Sequence, residues 1–305
     1  MIKLFTHTDL DGIGCAALAK YVYGENVDIE YCNYDDIDRK VEDFFVNGNA
    51  EECHITDISV SENLAKRIEN GNKRFVLLDH HPTALELNKF SWCKVKVWND
   101  ESTAKTCGTE MYHQFLASKE ILLEKNNIKR FVEIVRDYDT WRWKELGDSG
   151  LVSKMTNDLF HLYGREDFLV WCYNKFVNNF TFDKFDDSDT LLLKTEQKQI
   201  DAYVNHIDKR LNKVDLLGYK AGIVFADRYQ SELGNRLCTM HPELDFVAMI
   251  DLNGVISYRT VKENIDLGKD IAAKFGGGGH PKAAGSQISD DIKQEVIRTV
   301  FNYKV

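Results

Sequence analysis

Proline is scarce in this chain of 305 residues: only three occur, each directly after a histidine, as His81-Pro82, His241-Pro242 and His280-Pro281. Cysteine is present but unpatterned. The seven residues (15, 32, 53, 93, 107, 172 and 238) are odd in number and contain no C-x-x-C. That spacing excludes a disulfide framework and a zinc knuckle, and reduced, buried thiols in a cytoplasmic protein are expected. No apolar run approaches the length of a membrane span, and the opening Met1-Ile2-Lys3-Leu4-Phe5-Thr6-His7 lacks the layout of a signal peptide. A membrane location is not expected.

Positive charge is also in deficit. Thirty-nine Lys and Arg stand against 49 Asp and Glu, a formal net charge of −10. A broad basic groove for duplex or long single-stranded nucleic acid is therefore excluded. Nucleotides are not, because a bound divalent cation and a few placed Arg or Lys reverse the local sign. The balance favours a small or short phosphorylated substrate. The length suits two domains of ordinary size, and a 43% apolar fraction with five tryptophans supplies their cores.

The chain is organised around Leu77-Leu78-Asp79-His80-His81-Pro82. The apolar run from Phe75 to Leu78 reads as a buried strand that delivers three ionisable side chains and then a proline. In open parallel α/β sheets, ligands bind at that end of the strands. A capped turn followed by two surface histidines explains the motif equally well in isolation, so the rest of the chain decides.

Ile2 to Phe5 reads as a first strand running into His7-Thr8-Asp9-Leu10-Asp11-Gly12, before a helix of small residues from Ile13 to Lys20. Helix capping explains one aspartate but not His-x-Asp-x-Asp. Val27 to Tyr31 and His54 to Asp57 read as the next strands, the latter ending in a carboxylate, and Val95 to Trp98 as a fifth. Helices are expected near 37–46, from Ser61, over 103–116 and over 127–135. Alternating strands and helices give an α/β fold with a doubly wound, mostly parallel sheet. His7, Asp9, Asp11, Asp57, Asp79, His80 and His81 then share one sheet edge. Asp137 and Asp139 follow the 127–135 helix; either completes the group, and Asp137 is favoured as the first after the helix.

A long polar helix over 190–215 is expected to join two domains. The domain boundaries are placed at 1–185, 186–216 and 217–305. The second domain reads as a smaller α/β unit. It has a strand at 220–226, a hairpin at Asn253-Gly254, Arg259, a helix over 265–275, the run Gly276-Gly277-Gly278-Gly279-His280 and a closing helix over Ser289 to Tyr303. Four ordered glycines are costly in entropy, and a backbone approaching an anion accounts for them, with His280 and Lys282 as further donors.

So many carboxylates on one edge are costly without cations. Imidazole and carboxylate donors without thiolate suit two divalent ions, Mn²⁺ first, with Mg²⁺ or Co²⁺ next and zinc as a further choice. Two such ions activate water and clamp a phosphoryl centre. The second domain would hold the rest of the substrate across an interdomain cleft.

The motifs His7-Thr8-Asp9-Leu10-Asp11-Gly12, Thr56-Asp57, Asp79-His80-His81-Pro82, Arg136-Asp137 and Gly276–His280 together resemble the DHH phosphoesterase superfamily with a DHHA1 C-terminal domain. The resemblance covers nearly the whole chain in the family's order, and the opening motif is most similar to NrnB-type oligoribonucleases. It implies that His7, Asp9 and Asp57 hold one metal, and that Asp11, Asp57, His80 and Asp137 hold the other. It further implies that His81 contacts the scissile phosphate, that Asp79 orients the histidine pair, and that Arg259 with Gly277, Gly278, Gly279 and His280 binds the substrate's end. The nucleophile would be a bridging water.

The implied activity is hydrolysis of short oligonucleotides to mononucleotides, and a homodimer is compatible with it. A small RecJ-like exonuclease, a cyclic-dinucleotide phosphodiesterase or a phosphoadenosine phosphate phosphatase are the alternatives. A non-catalytic nucleotide-binding module is a different class, and the full set of competent ligands weighs against it.

Overall fold

A computed structural model of the chain describes residues 1–71, 74–99, 103–122 and 125–301. Two compact units emerge, Met1–Leu193 and Lys194–Val305.

In the first unit, strands β1 (Ile2–Thr6), β2 (Val27–Tyr31), β3 (Glu52–Thr56), β4 (Arg74–Asp79) and β5 (Cys93–Val95) form a five-stranded parallel sheet in the order β2-β1-β3-β4-β5. Apolar residues on adjacent strand positions point to opposite faces, as the two-residue period requires. Leu4 and Leu78 pack under helices α1 (Leu10–Tyr23), α4 (Gly108–Ser118), α5 (Asn126–Asp139) and α6 (Leu151–Val177). Phe5, Ile55 and Leu77 pack under α2 (Ile37–Asn47) and α3 (Glu62–Glu69) on the other face. The sheet is doubly wound, as the alternation of elements predicts. Its order changes direction between β1 and β3, and at such a switch point the loops diverge and leave a crevice.

Most of the expected strands and helices recur with shifted ends, but the fifth strand, expected over Val95 to Trp98, lies at Cys93–Val95 and shares only Val95 with that span. The helix expected over 103–116 starts later, at Gly108, because Thr106 and Cys107 remain extended and the Cys107 Sγ caps the Glu110 N–H at 3.4 Å. The helix expected over 190–215 is α7 (Asp187–Asp208), and it stops well short. Residues Asn212–Leu216 instead form β6, an antiparallel partner of β7 (Tyr219–Phe225). The unit boundary falls inside α7. Asp189 near its start accepts from the Tyr163 hydroxyl at 2.6 Å and the Trp171 indole at 3.1 Å. Ile200, Val204 and Ile207 further along lie in the core of the second unit.

That unit is a six-stranded mixed sheet ordered β10-β11-β9-β8-β7-β6, with β8 at Phe246–Asp251, β9 at Val255–Arg259, β10 at Gly278–His280 and β11 at Ala283–Gln287. Helices α7 and α8 (Gln230–Met240) cover one face. The expected helix over 265–275 covers the other as two short, irregular turns, Leu267–Ile271 and Ala272–Phe275. The hairpin at Asn253-Gly254 forms, but Asp251 pairs with Val255, so its loop has three residues and only Gly254, at φ +131°, is left-handed there. The closing helix, α9, covers Asp290–Phe301, and Tyr303, its expected end, lies outside the described residues. Among the described residues, no helix is long and apolar enough to cross a membrane. All seven cysteines are buried and free.

Phe131 of α5 is fully buried against Phe176 and Phe182, with ring centroids 5.2 and 4.8 Å away. Phe131→Ala is expected to destabilise the first unit by roughly 3–5 kcal/mol. The check is a lower denaturant midpoint at unchanged slope.

Candidate metal centre

The C-terminal ends of β1, β3 and β4 place their following residues together. After β1, the Asp9 side chain caps α1 by accepting from the Gly12 N–H at 3.1 Å. After β3, Asp57 adopts φ +59°, a left-handed conformation that is uncommon outside glycine but tolerated by Asp. After β4 come Asp79, His80 and His81.

Three compact groups of donors result: His7 with Asp9 and Asp57, Asp11 with His80 and Asp139, and Asp57 with Asp79, His80 and His81. His7 Nδ1 is 3.0 Å from Asp9 Oδ2 and 3.8 Å from Asp57 Oδ2. His80 Nε2 is 3.1 Å from Asp57 Oδ1 and 3.6 Å from both Asp11 Oδ2 and Asp139 Oδ2. Asp57 thus reaches His7 with one oxygen and His80 with the other.

The structure brings Asp139, and not Asp137, to the cluster. Asp137 and Asp139 are two positions apart on α5, about 200° around the helix axis, so only one can face the cluster. Asp139 does. Asp137 is buried and faces Arg142 and Arg136 at 3.2 and 3.4 Å.

Electrostatics mark the cluster as incomplete. Burial, then the charges of Asp11, Asp9 and Asp139, drive the Asp57 carboxyl well above its ordinary range. Burial and the charges of Asp11 and Asp9 likewise raise Asp139 to about 8. Asp9 behaves oppositely. Burial pushes it up, but the neighbouring His7 imidazole prevails and holds it at about 2. Burial lowers His80 and so favours the neutral imidazole, the form that ligates metals. His7 Nδ1 and Asp57 Oδ2 are both buried without a hydrogen-bond partner. Buried polar atoms are rarely left so. Facing acceptors beside several carboxylates are what a divalent cation satisfies, and the donor set fits one.

Around the donors lies a supporting layer. The Asp11 carboxylate accepts from the Gly108 and Thr109 N–H groups at 2.5 and 2.7 Å, so it is held on the N-terminus of α4. A Cβ on Gly108 would lie 2.5 Å from Asp57 Cβ, so only glycine fits. Asp79 Oδ1 accepts from His81 Nδ1 at 2.7 Å, and Asp79 Oδ2 accepts from Ser59 Oγ at 2.5 Å. The hydrogen bond that His81 donates to Asp79 raises the His81 pKa, outweighing burial. His81 Nε2 shares a 3.2 Å hydrogen bond with the Tyr34 hydroxyl. Sequence reasoning missed Ser59, Gly108, Thr109 and Tyr34. Cys107-Gly108-Thr109 at a helix start was the available signal for two of them.

The remaining sequence candidates belong to the second unit. Arg259 ends β9 and donates to the Tyr258 carbonyl at 2.8 Å and to Ser231 Oγ at 3.1 Å. The glycine run becomes the first strand of a hairpin. A Cβ at Gly277 would meet the Gly285 carbonyl oxygen at 2.0 Å, and one at Gly279 would meet Ala284 Cα at 2.6 Å. Close strand packing therefore accounts for those two glycines, whereas Gly278 borders open space and His280 is exposed.

A carboxyl that holds its proton more tightly in the folded than in the unfolded chain costs stability as pH rises. For Asp139 that loss runs from about pH 4, its unfolded value, up to about 8. Metal-stripped protein should therefore melt at progressively lower temperature between pH 5 and 8. Asp139→Asn should flatten that slope and Asp137→Asn should not; equal slopes in thermal melts of the three proteins would contradict the assignment.

No family model matches the chain. It is 32% identical to the oligoribonuclease NrnB of Bacillus subtilis over 309 aligned positions, covering 99% of this chain and 76% of that protein. Its fold is similar to that of the exonuclease RecJ bound to manganese, with a TM-score of 0.60 at 13% identity, covering 98% of this chain and 88% of that one. It is also similar to the pGpG-specific phosphodiesterase PggH of Vibrio cholerae, with a TM-score of 0.56 at 13% identity, covering 99% of this chain and 98% of that one. With its sequence likeness to NrnB running from end to end, the chain belongs to the NrnB-type oligoribonucleases of the DHH phosphoesterase superfamily.

Proposed function

We propose that this protein is a phosphodiesterase that hydrolyses short oligonucleotides to mononucleotides with two divalent cations. The observation that carries the reading is the orphaned pair His7 Nδ1 and Asp57 Oδ2 inside a cluster of buried carboxylates. An anionic phosphodiester is repelled from such an edge unless cations neutralise it.

In this reading His7, Asp9 and Asp57 hold one ion, and Asp11, Asp57, His80 and Asp139 hold the other, with Asp57 shared. Mn²⁺ suits the mixed imidazole and carboxylate donors, and Mg²⁺ or Co²⁺ are the alternatives. When bound, the ions supply a water-derived nucleophile near neutral pH and neutralise charge at the phosphoryl centre.

The chain's own residues divide the remaining work. Asp79 fixes His81 through Nδ1, and Nε2, which meets the Tyr34 hydroxyl at 3.2 Å, would exchange that contact to donate to a non-bridging phosphate oxygen. The raised pKa of His81 favours the protonated form that this role needs. Arg259, Gly278 and His280 offer donors to the substrate's terminal phosphate, with Gly277 and Gly279 shaping the strand that carries them. The net charge of −10 disfavours a long polyanion and supports a short one.

Product analysis of purified protein with Mn²⁺ tests the reading against a labelled RNA dinucleotide, a long single-stranded DNA, cyclic di-AMP and pyrophosphate. Rapid release of mononucleotide from the dinucleotide, with the long strand slow, is expected. Preference for the long strand or the cyclic substrate would replace it with one of the rival activities. Asp57→Ala should abolish turnover, and His81→Ala should lower kcat by roughly 10²–10⁴-fold.

A further inference from the structure

Beside the metal cluster the first unit has a second concave feature, a cavity of about 400 Å³ whose lining shares Asp79 and His81 with the cluster. Its apolar lining comes from Ile37, Val60 and Leu87, each at most 4% exposed. Tyr34 forms one wall from the turn after β2. That ring is 64% exposed, a large apolar surface for which the fold itself has no use. It is held in place nonetheless, with its hydroxyl on His81 Nε2 and its ring centroid 5.3 Å from that of His7.

From these features we infer that the cavity is a nucleoside subsite, in which Tyr34 stacks against one base of the substrate. The volume falls within the roughly 300–1,000 Å³ range of small-molecule sites. An exposed aromatic face beside an apolar floor is what a nucleobase requires, and stacking of this kind is tolerant of base identity. The polar groups argue against a phosphate there. Asp38 lines the cavity and is anchored by the Ser61 N–H at 2.8 Å, and Glu62, Asp79 and Glu86 bring its carboxylates to four. Carboxylates repel phosphate and accept hydrogen bonds from the amino groups of adenine, guanine or cytosine. His81 stands between the cavity and the cluster, so a nucleoside seated here presents its phosphodiester to the donors.

The inference rests on the phosphodiesterase reading, and two measurements separate them. The first compares wild type with Tyr34→Ala on a 5′-phosphorylated adenine dinucleotide and on its two singly abasic analogues, with Mn²⁺. KM for the intact dinucleotide should rise about tenfold in the variant, in line with the cost of losing one stacked base. One abasic analogue should show the same rise, and the other, already lacking the base that enters the cavity, should show none. Tyr34→Phe keeps the ring and should stay within about threefold of wild type, on the same stacking argument. Equal losses on both analogues, or a kcat loss reproduced by Tyr34→Phe, would overturn the subsite and leave Tyr34 acting only through His81.

The second measurement is saturation-transfer NMR with adenosine, which needs no turnover. Saturation of the adenine protons by wild type and its loss in Tyr34→Ala is expected, and no transfer to wild type overturns the cavity assignment. A wild type that binds adenosine through Tyr34 yet cuts no dinucleotide would retain the subsite and defeat the phosphodiesterase reading.

Discussion

Asp57 sets the constraint on which the first unit depends. Its carboxylate is 1% exposed, lies among Asp9, Asp11 and Asp139, and leaves one oxygen without a hydrogen bond. Burying like charges together is unfavourable unless something of opposite sign joins them. The surrounding architecture nevertheless enforces the arrangement. The left-handed backbone at Asp57 aims the side chain, and Gly108 allows α4 to close against it. The N-terminus of α4 stabilises Asp11 beside it. Strain and repulsion of this kind collect at functional sites, where bound ligands offset them.

The parallel sheet makes this concentration achievable. Residues that follow β1, β3 and β4 emerge at the same edge, and the reversal of strand order between β1 and β3 opens a crevice there. Buried threonines brace the junction, Thr56 Oγ1 donating to Thr6 Oγ1 at 2.9 Å and Thr6 Oγ1 to the Gly12 carbonyl at 3.0 Å. The cluster is thus rooted in strand ends and helix starts, which are stiffer than free loops.

Much of this was legible in the sequence, because it depends on local signals. Apolar strands ending in Asp57 and in Asp79-His80-His81 announce both the sheet and its reactive edge. The parts that were not legible depend on angle and distance. Choosing between Asp137 and Asp139 required knowing that α5 continues through both and which side faces the sheet. Polar residues after Asp208 carry no helix period strong enough to predict that 212–216 would pair with β7 instead. That Gly285 and Ala284 press against Gly277 and Gly279 is likewise a matter of distance, which a run of four glycines does not announce. Tyr34 gave no signal at all, since an aromatic residue in a polar turn acquires meaning only from what stands next to it.

The central claim is that the carboxylate cluster exists to hold cations and that Asp57 joins them. Titration calorimetry of Mn²⁺ into metal-stripped protein near pH 8 tests it most directly. The account predicts about two ions per chain, one lost in Asp139→Asn and both weakened in Asp57→Ala. A chain that binds no Mn²⁺, or that binds it equally well without the Asp57 carboxylate, would contradict it.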